Sequence, residues 1–234
     1  MKVILFGATG MVGQGVLREC LLDPDVDGVL VIGRASVSRI GVSHPKLRER
    51  LLPDLAGIGA IESDLAGYDA CFFCLGVTSA GMTEGAYRHI TYDLTMAVAT
   101  AVLAQNPGMT FVFVSGRGTD STERGRSMWA RVKGQTENAL LRMPFKAAYM
   151  FRPAMIRAMN GEVSRTRSYR VMYALLGWWL MPIIRFLFPR SVTTTQNIGR
   201  AMLLVTKHGA SRPVIESWDI NMLAAAVPKT KAAA

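Results

Sequence analysis

Cysteine and histidine are scarce in this chain of 234 residues, three of each, and their scarcity excludes two architectures. Cys20, Cys71 and Cys74 are too few, and odd in number, for the disulfide framework of a small secreted domain. A reducing compartment is expected, and with it a cytoplasmic location, at the membrane surface if the apolar segment described below touches lipid. Cys71 and Cys74 have the spacing of a redox pair or half a zinc site. They sit in an apolar run, however, and residues three apart on a strand point to opposite faces, so the two read as buried strand thiols. His44, His89 and His208 are scattered without ligand spacing, and no metal is expected.

Long apolar runs are also missing. The longest uncharged one, Val171 to Ile184, contains Gly177 and Pro182 and is shorter than the roughly 20 residues a membrane-spanning helix needs. Met1 to Phe6 is too short for a secretory signal, and glycines follow it. Acidic residues are outnumbered, 17 Asp plus Glu against 27 Lys plus Arg, for a formal charge of +10. The shortage is confined to one side of the chain. Residues 1–110 hold 8 basic and 11 acidic side chains, residues 111–234 hold 19 and 6. Such asymmetry leaves open a nucleic acid, an anionic membrane surface or a phosphorylated ligand. What the chain does have is apolar content, 50% hydrophobic with 19% charged, which fills a core and excludes a disordered chain.

The apolar residues come in short runs alternating with helical patterns. Strands are expected at Lys2 to Phe6, Gly28 to Ile32, Lys46 to Pro53, Asp69 to Leu75, Thr110 to Val114 and Lys146 to Phe151. Helices are expected at Met11 to Leu22, Glu84 to Gln105 and Met128 to Arg142. Strands that are apolar throughout and followed by helices imply a parallel sheet covered on both faces, an α/β doubly wound fold of Rossmann type. Residues 1–154 form that dinucleotide-binding unit, and 155–234 a small carboxy-terminal lobe integral to it. In the lobe, Thr194 or Thr195 caps a helix running through Lys207, Val214 to Glu216 adds a short strand, and Pro228 to Ala234 reads as a frayed tail.

The first strand runs into Gly7-Ala8-Thr9-Gly10-Met11-Val12-Gly13, which opens the first helix. Glycines at these places permit a tight turn, approach of a pyrophosphate to the backbone and close packing of helix on strand, with the positive helix end facing the phosphates. About 20 residues further on, a site for NAD normally places a carboxylate against the ribose hydroxyls. Here Gly33-Arg34 stands instead. Arginine can pair with a 2′-phosphate, so NADP(H) is favoured over NAD(H).

The Gly-Ala-Thr-Gly-Met-Val-Gly turn resembles that of the short-chain dehydrogenase/reductase superfamily in its atypical, epimerase-like branch. Gly33-Arg34, Cys74-Leu75-Gly76-Val77-Thr78 and Arg152-Pro153 resemble the Tat-interacting oxidoreductase-like group within it. The resemblance spans Lys2 to about Glu216, with specific motifs up to Pro153. It implies cofactor contacts from Gly7, Thr9, Gly10, Met11, Val12 and Gly13, from Arg34, and from Leu75, Gly76, Val77 and Thr78 against the adenosine ribose. An Asp followed by an apolar residue after the third strand contacts adenine in the family. Asp54-Leu55 and Asp64-Leu65 compete for that role, and Asp54 and Leu55 are chosen because Asp64 leaves no room for a helix before the fourth strand. Pro153 and Ala154 correspond to the family's turn beside the nicotinamide.

The resemblance further implies hydride chemistry by a Ser after the fifth strand and by a Tyr four residues before a Lys. Ser115 and Lys133 match, and Lys133 also binds the cofactor's ribose. The tyrosine position is Trp129. An indole has one N–H donor and no proton to exchange near neutral pH, so it cannot be the general acid. Two functions follow. One is an atypical NADP(H)-dependent reductase or dehydrogenase acting on a small-molecule substrate. The other is a catalytically silent dinucleotide sensor that binds a partner or a membrane.

The basic half carries no helix-turn-helix or zinc-finger spacing and no aromatic interleaving, so no specific nucleic acid is expected. Residues 171–188 are aromatic and aliphatic, with Trp178, Trp179 and Phe186. They read as a buried lid or homodimer contact, or as a peripheral membrane contact next to the basic stretch.

Overall fold

The computed structural model describes residues 1–159 and 191–226. Seven strands form one parallel sheet: β1 Lys2–Phe6, β2 Gly28–Gly33, β3 Leu47–Leu51, β4 Ala70–Phe73, β5 Thr110–Val114, β6 Ala147–Arg152 and β9 Val214–Glu216, in the order β3-β2-β1-β4-β5-β6-β9. Helices α1 Met11–Leu22, α3 Leu94–Gln105 and α4 Met128–Arg142 cover it, together with α5 Thr195–His208. This is the doubly wound Rossmann-type fold expected of uniformly apolar strands.

Alternate residues on each strand feed two separate cores. Val3, Leu5, Val29, Val31, Phe72, Val112 and Phe151 pack under α1 and α5. Ile4, Phe6, Leu30, Ile32, Phe73, Phe111 and Phe113 pack under α3 on the other face, where the Phe73 ring lies 5.5 Å from that of Phe6 and 6.0 Å from that of Phe113. Cys71 lies in the second core and Cys74 packs against the first, so the two thiols diverge as the strand geometry requires.

Several elements depart from expectation. Between β3 and β4 the chain forms 3-10 turns at Leu55–Leu65, kinked at Gly57 and Ile61, because a segment holding two glycines propagates an α-helix poorly. The long helix expected over Glu84 to Gln105 is α2 Glu84–Arg88, a π turn at His89–Asp93, then α3. Beyond β6, β7 Met155–Arg157 pairs in parallel with β8 Val192–Thr194, strands too short for periodicity to reveal. Helix α6 Ser217–Ala226 follows β9 directly, where no element was expected. Of the two candidate caps, Thr194 holds the start of α5, its hydroxyl accepting from the Asn197 amide at 3.0 Å.

The sheet order reverses between β1 and β4, so the turns leaving these two strands flank one crevice at the carboxyl ends, where open α/β sheets bind ligands. A cavity of ≈ 360 Å³ lined by Met1, Asp69, Thr110 and Lys146 lies at the opposite, amino-terminal end of the strands. On the site side, α4 sits hard against the loop after β5. A Cβ at Gly134 would fall 1.8 Å from the Asp120 carbonyl oxygen, and the Asp120 amide donates to the Ala130 carbonyl at 3.0 Å. Gly134→Ala therefore forces the helix off the loop. The expected cost is about 1–3 kcal/mol, read as a lower denaturation midpoint in urea.

Candidate functional site

Gly7 leaves β1 with φ +80, a left-handed conformation suited to glycine. A Cβ there would lie 2.7 Å from the Leu75 amide nitrogen, and one at Gly13 would lie 2.1 Å from the Gly7 carbonyl oxygen. The turn thus presses on the loop after β4 on one side and on α1 on the other. Gly10 caps α1 without any side-chain hydrogen bond, so the first-turn amides of Met11, Val12 and Gly13 end in the crevice uncapped by protein side chains. Thr9 is tied in through its carbonyl, which accepts from Gln14 Nε2 at 3.1 Å. The glycines thus let the turn pack against the loop and the helix, and with the uncapped start of α1 the turn fits the pyrophosphate of a dinucleotide.

Around this turn, Leu75 is half-buried and Gly76, Val77 and Thr78 are exposed. Arg34 is exposed at the end of β2 and has no ion-pair partner among the described residues. Glu49 on β3 shapes the segment after Arg34, accepting from the Val37 amide at 2.6 Å and the Ser36 hydroxyl at 2.7 Å. Asp54 is exposed and caps the 3-10 turns through the Ala56 amide at 3.0 Å, while Leu55 is buried in the core. Of the pair chosen for adenine, one side chain is therefore a cap and the other a core residue.

The structure brings Ser115 and Lys133 together and adds two groups that spacing did not single out. Ser115 is buried at the end of β5, and its hydroxyl donates to Glu137, with the Phe151 carbonyl 3.2 Å away. Lys133 Nζ donates to the Ser115 carbonyl. Glu137, one turn beyond Lys133 on α4, is 1% exposed. Arg152, at the end of β6, grips it from Nε at 3.0 Å and 3.1 Å and also through a terminal nitrogen. Hydrogen bonding to Glu137 raises the Arg152 pKa further, while burial pulls the Lys133 ammonium down to about 8 against an opposing pull from Glu137. The hydroxyl proton of Ser115, the serine that the resemblance assigns to the hydride chemistry, thus goes to a protein carboxylate. One signal in the sequence pointed here: a Glu on the stripe of α4 that also carries Ala130, Gly134 and Leu140.

Trp129 is half-buried, its ring 3.4 Å from where a Cβ of Gly118 would stand. Pro153 is buried, its carbonyl accepting from the Arg117 amide at 3.0 Å. The Ala154 amide, expected beside the nicotinamide, donates to the Ser217 hydroxyl at 2.8 Å. Among the described residues no cluster of His, Cys, Asp and Glu could hold a metal, and no helix is long and apolar enough to cross a membrane. Residues 171–188 lie outside the described residues.

No family model matches the chain. It is similar to the mitochondrial protein fmp52-1 of Aspergillus terreus, 29% identical over 164 residues covering 69% of each chain. It is also similar to HTATIP2 of Rattus norvegicus, 26% identical over 156 residues covering 66% of this chain and 62% of that one. Among solved structures, Gre2 of Candida albicans in complex with NADPH superposes with a TM-score of 0.68 at 14% identity, covering 92% and 77% of the two chains. The Bordetella bronchiseptica enzyme WbmF in complex with NAD+ superposes at 0.65 with 15% identity over 94% and 76%. The FMP52 relatives are named mitochondrial, which overturns the expectation of a cytoplasmic location. Sparse, buried thiols report the redox state of a compartment and not which compartment it is.

The buried pair makes a stability prediction. Arg152→Met strands the Glu137 carboxylate without its counter-charge and is expected to cost about 3–5 kcal/mol. Chemical denaturation of the single variant beside a Glu137→Leu, Arg152→Met double variant checks it, the double variant recovering most of the loss.

Proposed function

From a chain with the short-chain dehydrogenase/reductase fold in its atypical, epimerase-like form, we propose an NADP(H)-binding oxidoreductase acting on a small-molecule substrate. The observation that carries this reading is the cradle at the switch point: Gly7 in left-handed conformation, Gly13 against its carbonyl, and α1 beginning without a side-chain cap. Helix amides there hold phosphate through hydrogen bonds and the positive helix end. Arg34, exposed and without an ion-pair partner among the described residues, supports a 2′-phosphate in preference to a free ribose hydroxyl. A bound nicotinamide supplies the hydride. Lys133 holds the ribose, and the buried Ser115, Glu137 and Arg152 fix the strand ends beside it.

A second reading, a dinucleotide sensor without turnover, is favoured by Trp129 at the place of the general acid. The two readings share the cofactor and differ in chemistry, so two measurements separate them. Titration by quenching of tryptophan fluorescence is expected to give at least about tenfold tighter NADPH than NADH binding, about 1.4 kcal/mol, with the preference lost in Arg34→Ala. Equal affinities in the wild type overturn the choice of cofactor. A screen of carbonyl compounds for NADPH oxidation then compares the wild type with Trp129→Tyr. Turnover by the wild type supports the oxidoreductase, whereas turnover gained only in the variant assigns the natural protein to the sensor.

A further inference from the structure

The buried carboxylate beside Lys133 belongs to no part of the chemistry assigned above. Its surroundings say what it is for. Glu137 reaches the Ser115 hydroxyl on β5 and the Arg152 guanidinium on β6 from a helix that it shares, one turn apart, with Lys133. Lys133 in turn donates to the Ser115 backbone carbonyl, so the same residue of β5 is held from its side chain by the carboxylate and from its main chain by the ammonium. A carboxylate that is 1% exposed faces the Arg152 guanidinium as its counter-charge. It places a negative charge one helical turn from the ammonium.

We propose that Glu137 is a positioning residue that holds Ser115 and, through the Ser115 carbonyl, Lys133 at the cofactor site, with its negative charge one helical turn from the ammonium. The inference rests on the reading of Lys133 as a cofactor-binding group, but the charge relation holds in the protein alone.

Two opposing effects act on Lys133. Burial favours the neutral amine and brings the pKa to about 8, and the Glu137 charge opposes that fall. Other charges on elements packed against α4 are spoken for: Glu84 on α2 pairs with Arg131 at 2.7 Å, and Arg88 binds Gln135 at 2.8 Å and stands 3.8 Å from Asp93. Asp120, in the loop under Gly134, accepts from Thr122 and Gly125, and Glu216 on β9 lies 3.9 Å from Arg152. Among the described residues, burial and the Glu137 charge are the opposing effects on the ammonium. The sign follows: Lys133 is charged below its midpoint and neutral above it, and loss of the Glu137 charge moves that midpoint to lower pH.

The test is an NMR titration of lysine side chains labelled at Cε in the full chain without nucleotide, the Lys133 signal assigned by its absence in Lys133→Arg. Wild type is expected to show one lysine titrating near pH 8. Glu137→Gln is expected to lower that midpoint by at least about one pH unit, and Glu137→Asp, which keeps the charge on a shorter arm, to lower it by less. Ser115→Ala, which leaves the carboxylate and its guanidinium in place, leaves it unmoved. An unchanged midpoint in Glu137→Gln, or in Glu137→Asp should the former not fold, overturns the proposal whatever happens to melting temperature. NADPH affinity measured across the same pH range is expected to fall through the same midpoint in wild type and earlier in Glu137→Gln. Absence of NADPH binding with the lysine shift intact refutes the cofactor reading alone.

Discussion

A carboxylate removed from water must be paid for by partners, and much of the functional half of this protein is arranged around one such carboxylate. Glu137 lies among apolar and small side chains of α4, where an unpaired charge would cost several kcal/mol. Its partners come from β5 and β6, and neither strand end could shift without breaking a charge-assisted hydrogen bond. Those strand ends carry Ser115 and the Arg152-Pro153 turn, and the helix that supplies Glu137 also supplies Lys133 and Trp129. Satisfying one buried charge thus locks the relative positions of the elements that bear on any bound ligand. Gly134 belongs to the same device, since only a residue without a side chain lets α4 approach the loop closely enough for the carboxylate to reach.

The cofactor side is built by a different means. There the fit is steric: Gly7 and Gly13 let backbone meet backbone, and the first-turn amides of α1 are left without a side-chain cap. Steric construction leaves a readable trace, because few local structures besides a phosphate-binding turn require glycine at this fixed spacing after an apolar strand. Electrostatic construction leaves little trace, because the partners of Glu137 are 15 and 22 residues away in sequence and their pairing exists only once the sheet is assembled.

That contrast decides what the sequence disclosed. Strands β1, β2, β4, β5 and β6 were legible because apolar runs buried on both faces admit no other element, and α1 and α4 because their patterns start at clear signals. Residues 55–65 form 3-10 turns where the resemblance implies a helix, because Gly57 and Gly59 propagate an α-helix poorly. Strands β7 and β8 are three residues each, and β7 gains meaning only from its partner far along the chain. At the site, the spacing singles out Ser115 and Lys133, which the fold sets in contact, but the direction of the Ser115 hydroxyl was invisible without the β5–α4–β6 packing. Its proton goes inward, which spacing alone could not state.

The uneven charge also takes on a different meaning once the chain is folded. An excess of basic residues after position 110 invited a polyanionic partner, yet several of those residues answer acids from the other half. Arg200 meets the buried Glu19 at 2.9 Å, Lys207 meets Asp23 at 2.8 Å and Asp25 at 2.6 Å, and Arg131 meets Glu84. The first two pairs join α5 to α1 and the turn after it, a seam where the returning chain covers the helix that begins at the glycine turn. Each half is therefore incomplete in charge without the other, as each face of the sheet is incomplete without its helices. Part of what looked like a surface for an outside partner is the electrostatic closure of the fold on itself, whereas Arg34, in the acidic half, is exposed after β2 and has no ion-pair partner among the described residues.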